Sequence, residues 1–227
     1  MSSVTLFSIL LTVAVYWVSR RLAIRFPSPL LTPVFSSTVV IVFILLWSGI
    51  TYEEYTPAKD IMTYLLGPAT VALAVPLYHN LNILLKKAWP SLLGLVAGTA
   101  ATIVSGVVLA KLFHFSEEMT GAVAVKSVTS PVAFDVANVI GGDPVLAAVF
   151  VIISGVFGAV AGPWVLTALR ITDPFARGLS IGTTAHGVGT SQMVVEGEMQ
   201  GAVSGAAMGA AAILVSIILP WLFPLIQ

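Results

Sequence analysis

Four apolar runs decide which solvent this chain can fold in: VTLFSILLTVAVYWV, VVIVFILLW, LLGLVAGTAATIVSGVVLAKLF and AAAILVSIILPWLFPLI. All but the nine-residue VVIVFILLW approach or reach the roughly 20 residues that cross a hydrocarbon core as a helix, and none shows the period-2 alternation of a barrel strand. Only 9% of the 227 residues are charged and 58% are hydrophobic, with a mean hydropathy of +1.02. A soluble domain carries about 25% charged residues. This chain cannot cover a water-facing surface. The expected fold is all-α: a polytopic integral membrane helical bundle, with residues 1–227 forming a single transmembrane domain.

The formal charge is zero and no basic patch interleaves with aromatics, which argues against a nucleic-acid partner. The absence of cysteine removes disulfides and thiolate chemistry. Arg20 and Arg21 follow the first apolar run instead of preceding it, so the first helix reads as an uncleaved span. Polar and Pro/Gly punctuation divides the chain into about eight membrane elements, near 4–19, 31–49, 61–78, 91–113, 119–140, 145–169, 175–195 and 200–226.

By the positive-inside rule, RRLAIRFPSP and the Lys86–Lys87 segment face the cytoplasm and the N-terminus lies outside, with the acidic TYEEYTPAKD as an outer loop. Counting straight on, however, places Arg170 and Arg177 on the outer side. Two resolutions stay open: an element between 119 and 140 re-enters without crossing, or two positive charges do not outweigh the earlier ones.

Two elements do not read as clean helices. In AVKSVTSPVAFDVANVIGGDP, Pro131 disfavours helical dihedrals at Ser130 yet suits the first turn of a new helix. The expectation is a break at Ser127–Ser130 capped by Thr129 or Ser130, then a half-helix over 131–140. Lys126 stands one residue before the break, at a depth where a lysine costs about 2.5–3.5 kcal/mol on insertion scales. In GTTAHGVGT, Gly182, Gly187 and Gly189 permit a turn and Thr183, Thr184, Thr190 and Ser191 supply hydroxyls, with a second half-helix starting near Ser191.

Broken backbone at bilayer depth is tolerated only where it is buried in protein or lines a cavity, and paired breaks mark transporter substrate sites. The candidate substrate-binding residues are therefore Lys126, Ser127, Thr129, Ser130, Thr184, His186, Thr190 and Ser191. Asp135 and His186 are candidates for proton coupling, Asp135 also as a partner for Lys126. His186 reads equally as a satisfied packing residue. LLGPATVALAVPLYHN, with Pro68 and Pro76, is a weaker third break, loosely paired with 182–190 as an inverted repeat.

Glycines at four-residue spacing, Gly94/Gly98, Gly158/Gly162, Gly178/Gly182 and Gly201/Gly205/Gly209, read first as close packing within the bundle and second as a dimer face. Enzyme templates fail: no nucleophile elbow, phosphate loop, dinucleotide fingerprint or histidine metal spacing occurs, so neither catalysis nor a metal or other cofactor is expected.

The segments KSVTSPVAFDVANVIGGDPVLAAVFVIISGVFGAVAGPWVL and GLSIGTTAHGVGTSQMVVEGEMQGAVSGAAMG, with GPATVALAVPLY earlier, resemble the LrgB/CidB family. That family includes the YohK-like proteins and the C-terminal half of the plastid glycolate/glycerate translocator. Family members often carry glutamate where Asp135 stands, and a basic residue near Gln192. The resemblance implies a multi-pass protein of the bacterial cytoplasmic (inner) membrane. Its expected partner is a small LrgA/CidA-type membrane protein or a second copy of itself. Two functions attach to it: transport of small monocarboxylates such as glycolate, glycerate or pyruvate, and antiholin-like control of murein hydrolase release. A lysine, hydroxyls and two helix N-termini suit a carboxylate, so the residues favour transport of a small organic anion by a lipid-embedded carrier.

Overall fold

The computed structural model describes residues 3–26, 31–65, 68, 71, 74–79 and 81–226. Helices account for all regular structure among the described residues. The chain forms two compact units, 1–74 and 75–227. In the first, α1 (Ser3–Arg25) packs against α2 (Pro33–Trp47) and α3 (Tyr52–Tyr64). TYEEYTPAKD is helical in α3 and not an open loop: Thr51 and Glu54 close a reciprocal capping box that satisfies two of the orphan donors at the helix start.

The second unit holds α4 (Ala74–His79), α5 (Leu81–Lys86), α6 (Ala88–Leu112), α7 (Glu117–Ala124), α8 (Ser130–Val139), α9 (Pro144–Ala168), α10 (Pro174–Glu196) and α11 (Glu198–Ile226). Four described helices, α1, α6, α9 and α11, are long and apolar enough to cross a membrane, while α2 is apolar but shorter. The weak third break falls largely outside the described residues.

Helix starts in the second unit follow local chemistry. Ser116 accepts the Met119 N–H, and the Asp143 carboxylate accepts those of Val145 and Leu146. Pro131, Pro144 and Pro174 occupy first turns, where a missing N–H costs nothing. The ends of α6, α8 and α9 pass through left-handed residues, His114 (φ 57°), Gly141 (φ 78°) and Arg170 (φ 58°), and only one of the three is glycine.

Two stretches read as broken spans are re-entrant hairpins. Arg177 Nε donates to Glu196 Oε1, although a straight helix would hold the two about 28 Å apart at 1.5 Å per residue. Likewise a Cβ on Gly189 would lie 2.7 Å from Ile181 Cγ2. The chain therefore turns back inside α10, at Ala185 (φ −124°, ψ 15°) and His186 (φ 41°, ψ −139°). The turn precedes Gly187, so the returning half begins there and not near Ser191.

The first hairpin is built the same way. The Asp143 N–H donates to the Glu118 carbonyl at 3.2 Å, and a Cβ on Gly121 would sit 2.8 Å from Gly142 Cα, so the end of α8 lies beside the start of α7. Its break covers 125–129, which places Lys126 within the break and not before it. Thr129 is the N-cap residue of α8, but its side chain makes no capping bond.

These contacts order the unit. Lys87 Nζ lies 3.2 Å from Asp173 Oδ2, so the start of α6 and the α9–α10 turn share one end of the unit. Glu118 and Asp143 mark the other. Spans α6 and α9 run between these ends in opposite directions, and each is followed by a hairpin that opens at the end the span has just reached. The unit is thus an inverted repeat of span plus hairpin, closed by α11. It pairs the break at 125–129 with the one at 185–186; the looser pairing of 67–76 with 182–190 falls in part outside the described residues. Because 117–139 re-enters, Arg170 and Arg177 return to the same end as Lys86 and Lys87. The first of the two resolutions holds.

Glycines let the entering half of α10 sit at the centre. A Cβ on Gly94 or Gly98 of α6 would meet Leu179 or Thr183, and one on Gly158 or Gly162 of α9 would meet Ala185 or Ile181. Gly178 and Gly182 of α10 itself touch the backbone of Gln200 and Ser204 in α11. Where lipid replaces water, such close approach supplies dispersion contacts that apolar burial no longer drives. Three of the four spacings are therefore intramolecular seams.

Candidate functional site

Between the two hairpin tips lies a cavity of about 350 Å³. The first tip contributes Lys126 and Ser127; the second contributes Ser180, Ile181 and Thr184 just before its turn. Thr102 of α6 and a face of α9 from Ser154 to Leu166 complete the wall. Most of that wall is aliphatic or aromatic, so the few polar groups decide what the cavity can hold.

Lys126 is partly buried, and its Nζ donates to the Thr102 carbonyl at 2.7 Å. It makes no ion pair with any described carboxylate, so the ammonium lacks a counter-charge. Ser127 is 8% exposed, and its Oγ has no hydrogen-bond partner among the described residues. A buried hydroxyl left unpaired costs about 1–3 kcal/mol, which a ligand or water would relieve. The Thr184 hydroxyl donates to the Ser180 carbonyl at 2.8 Å and keeps its lone pairs. The arrangement offers one positive charge, several hydroxyls and no negative group, which is chemistry suited to a single small anion.

Of the residues expected from sequence, Lys126, Ser127 and Thr184 line this cavity. Thr129 and Ser130 stand two to three residues further along, at the start of α8. The other three turn away. His186 is 4% exposed, with Nε2 2.9 Å from the Val151 carbonyl, which can only accept. Thr190 bonds the His186 carbonyl and the Ser204 hydroxyl, both at 2.8 Å, and Ser191 donates to the Val188 carbonyl. His186 fastens the second hairpin to α9 and Thr190 fastens it to α11, while the Ser191 bond stays within α10. His186 stands off the cavity as a buried, bonded side chain.

Asp135 does not approach Lys126. It is exposed and lines a separate groove with Val132, Val136, Val139, Ser216 and Pro220. A half-helix leaving the tip carries Asp135 more than a turn away from the break.

Sequence reasoning missed Thr102, Ser154 and Ser180, isolated hydroxyls of spans or of the stretch before the second break that look like packing residues. It also missed the Arg177 network. This arginine, 8% exposed, donates to Glu196, to Thr167 Oγ1 at 3.2 Å, and to the Ile171 and Pro163 carbonyls at 2.9 and 3.1 Å. At the same end Lys87 pairs with Asp173 and lies 4.7 Å from the Phe175 ring centroid.

The LrgB-like family model matches residues 12–225. A Bacillus subtilis (strain 168) protein, YxaC, is 39% identical over 191 residues, 84% of this chain and 83% of its own length. The holin-like protein CidB of Staphylococcus aureus (strain N315) is 28% identical over 215 residues, 95% and 94% of the two chains. The antiholin-like protein LrgB of Bacillus mycoides (strain KBAB4) is 28% identical over 197 residues, 87% and 86%. No solved structure matches.

Proposed function

We propose that this membrane protein, which belongs to the LrgB-like family, is a transporter subunit that carries small monocarboxylates such as glycolate, glycerate or pyruvate. One observation carries the proposal: an ammonium without a counter-charge faces a cavity shared by two re-entrant tips. A carboxylate would supply the missing charge, and its oxygens would take hydrogen bonds from Lys126 and the Ser127 hydroxyl. A 2-hydroxyl or keto oxygen would find Ser154, Ser180 or Thr184 nearby. A second carboxylate would meet hydroxyls and apolar wall but no second positive charge, so the cavity favours monocarboxylates over dicarboxylates. Asp135 and His186 lie off the cavity, so no proton path through them forms part of the proposal.

With Lys86, Lys87, Arg170 and Arg177 at one end of the second unit, that end faces the cytoplasm of a bacterial inner membrane. The chain works beside a small LrgA/CidA-type membrane protein. The test is uptake of labelled monocarboxylates by proteoliposomes with and without that partner. Lys126→Ala should abolish uptake; parental uptake by this variant would refute the site.

The names of the relatives favour a second reading, in which the chain regulates a holin-like partner by assembly. That reading predicts intact lysis control with Lys126 neutralised and no anion flux at all.

A further inference from the structure

The two hairpin tips dock their basic residues in the same way. Lys126 of the first tip reaches the Thr102 carbonyl on the preceding span, α6, at 2.7 Å. His186 of the second reaches the Val151 carbonyl on the preceding span, α9, at 2.9 Å. Four residues beyond each carbonyl stands a glycine, Gly106 or Gly155. Both are pressed by the visiting side chain: a Cβ would lie 3.2 Å from Lys126 Nζ at Gly106, and 2.5 Å from His186 Nε2 at Gly155.

Helix geometry explains the pairing. A Cα–Cβ bond tilts toward the helix N-terminus, so a side chain covers the turn before its own Cα. The residue at i+4 therefore shields the carbonyl at i from an outside donor. A glycine there uncovers the oxygen, at a cost to helix stability of about 0.5–1 kcal/mol relative to alanine. Both halves of the inverted repeat carry this niche, nearer the end of the span in α6 (Ala88–Leu112) and nearer its start in α9 (Pro144–Ala168).

We propose that Gly106 is a positioning residue for substrate: it opens the Thr102 carbonyl as the seat that holds the Lys126 ammonium at the cavity wall. The inference rests on the carboxylate-carrier reading. The seat supplies an acceptor without a negative charge, so the ammonium is held in place while its charge stays available to an incoming anion. In the other half the same niche is filled by a buried imidazole and serves packing alone.

The experiment is a four-way comparison of monocarboxylate uptake in proteoliposomes: parent, Gly106→Ala, Lys126→Ala and the double variant. Gly106→Ala should raise KM a few-fold with the maximal rate within about twofold of the parent, because the added methyl would lie 3.2 Å from Lys126 Nζ and 3.1 Å from Val123 Cγ1 and must push the ammonium off its seat by a few tenths of an ångström. Lys126→Ala should lose uptake, and the double variant should be no worse than Lys126→Ala alone. A parental KM for Gly106→Ala, beside a dead Lys126→Ala, overturns the inference and leaves the carrier reading standing. Full uptake by Lys126→Ala overturns the Lys126 site, and no uptake by the parent overturns the carrier reading itself.

Should Gly106→Ala not accumulate in the membrane, Lys126→Arg asks the question from the other side. The broad guanidinium keeps the charge but does not fit the niche, so KM should rise with the maximal rate kept. A parental KM for that variant overturns the inference.

Discussion

Removing the Glu196 carboxylate should destabilise the second unit, by an amount that depends on what replaces it. Arg177 is 8% exposed and has five N–H donors, and four distinct acceptors surround it: Glu196, Thr167, Ile171 and Pro163. Only Glu196 brings a negative charge. Glu196→Ala leaves a buried guanidinium balanced by neutral oxygens, which costs about 3–5 kcal/mol for a broken buried pair. Glu196 is itself 22% exposed, so water reaches the site and the lower figure, about 3 kcal/mol, applies. Glu196→Gln keeps an acceptor oxygen and loses the charge, so about 1–2 kcal/mol is expected.

If the two ends of α10 touch, these losses are not independent of Arg177. With Arg177→Met in place, Glu196→Ala should cost under about 1 kcal/mol, a coupling of at least 2 kcal/mol. The assay is a double-mutant cycle on unfolding of the purified protein in detergent, followed by tryptophan fluorescence. Additive losses, with coupling under about 0.5 kcal/mol, would mean that residues 177 and 196 are apart and that α10 does not turn back.

Three further outcomes follow from local geometry. His114→Gly and Arg170→Gly should each stabilise the protein by about 1 kcal/mol in the same assay, since both residues hold left-handed backbone that costs a side-chain-bearing residue about 1–2 kcal/mol. Gly182→Ala should prevent accumulation of folded protein, because the added methyl would meet the Ser204 backbone, whereas Gly209→Ala, with open space around it, should be neutral in a detergent-solubility screen. At Asp173, partial desolvation works to raise the carboxyl, but the hydrogen bond and charge of Lys87 and two backbone N–H groups outweigh it and hold it below its usual range. Its contribution is therefore full at neutral pH and lost as pH falls through that depressed value. Comparing parent with Lys87→Met from pH 7 to pH 3 should show a difference under about 1 kcal/mol that closes in acid.

The membrane class was readable from apolar run length alone, and Pro131 and the glycines around His186 placed both breaks to within a few residues. The glycine pairs were readable as intramolecular seams, because spacing of four brings small residues onto one helix face. That the breaks are reversals was not readable. A turn of 180° and a modest kink use the same residues, and here the turn rests on a positive φ at His186, not on a glycine. What reveals the reversal is the Arg177–Glu196 pair, nineteen residues apart in sequence and outside any local spacing rule. The charge parity of Arg170 and Arg177 held the hint, since only a re-entrant element returns them to the lysine end. Of the residues read from sequence as substrate-binding, the cavity takes in Lys126, Ser127 and Thr184, while His186 and Thr190 bond α9 and α11, because a hydroxyl or imidazole that fastens a hairpin has the same composition as one that faces a cavity.

The most direct measurement is a solid-state NMR dipolar distance in lipid bilayers between 15N-labelled lysine amines and the 13C carboxyl of bound glycolate. The proposed carboxylate site predicts a contact within about 4 Å that disappears in Lys126→Gln. Dephasing that persists unchanged in that variant, or none with ligand at saturation, would contradict the claim that the two tips close on a carboxylate.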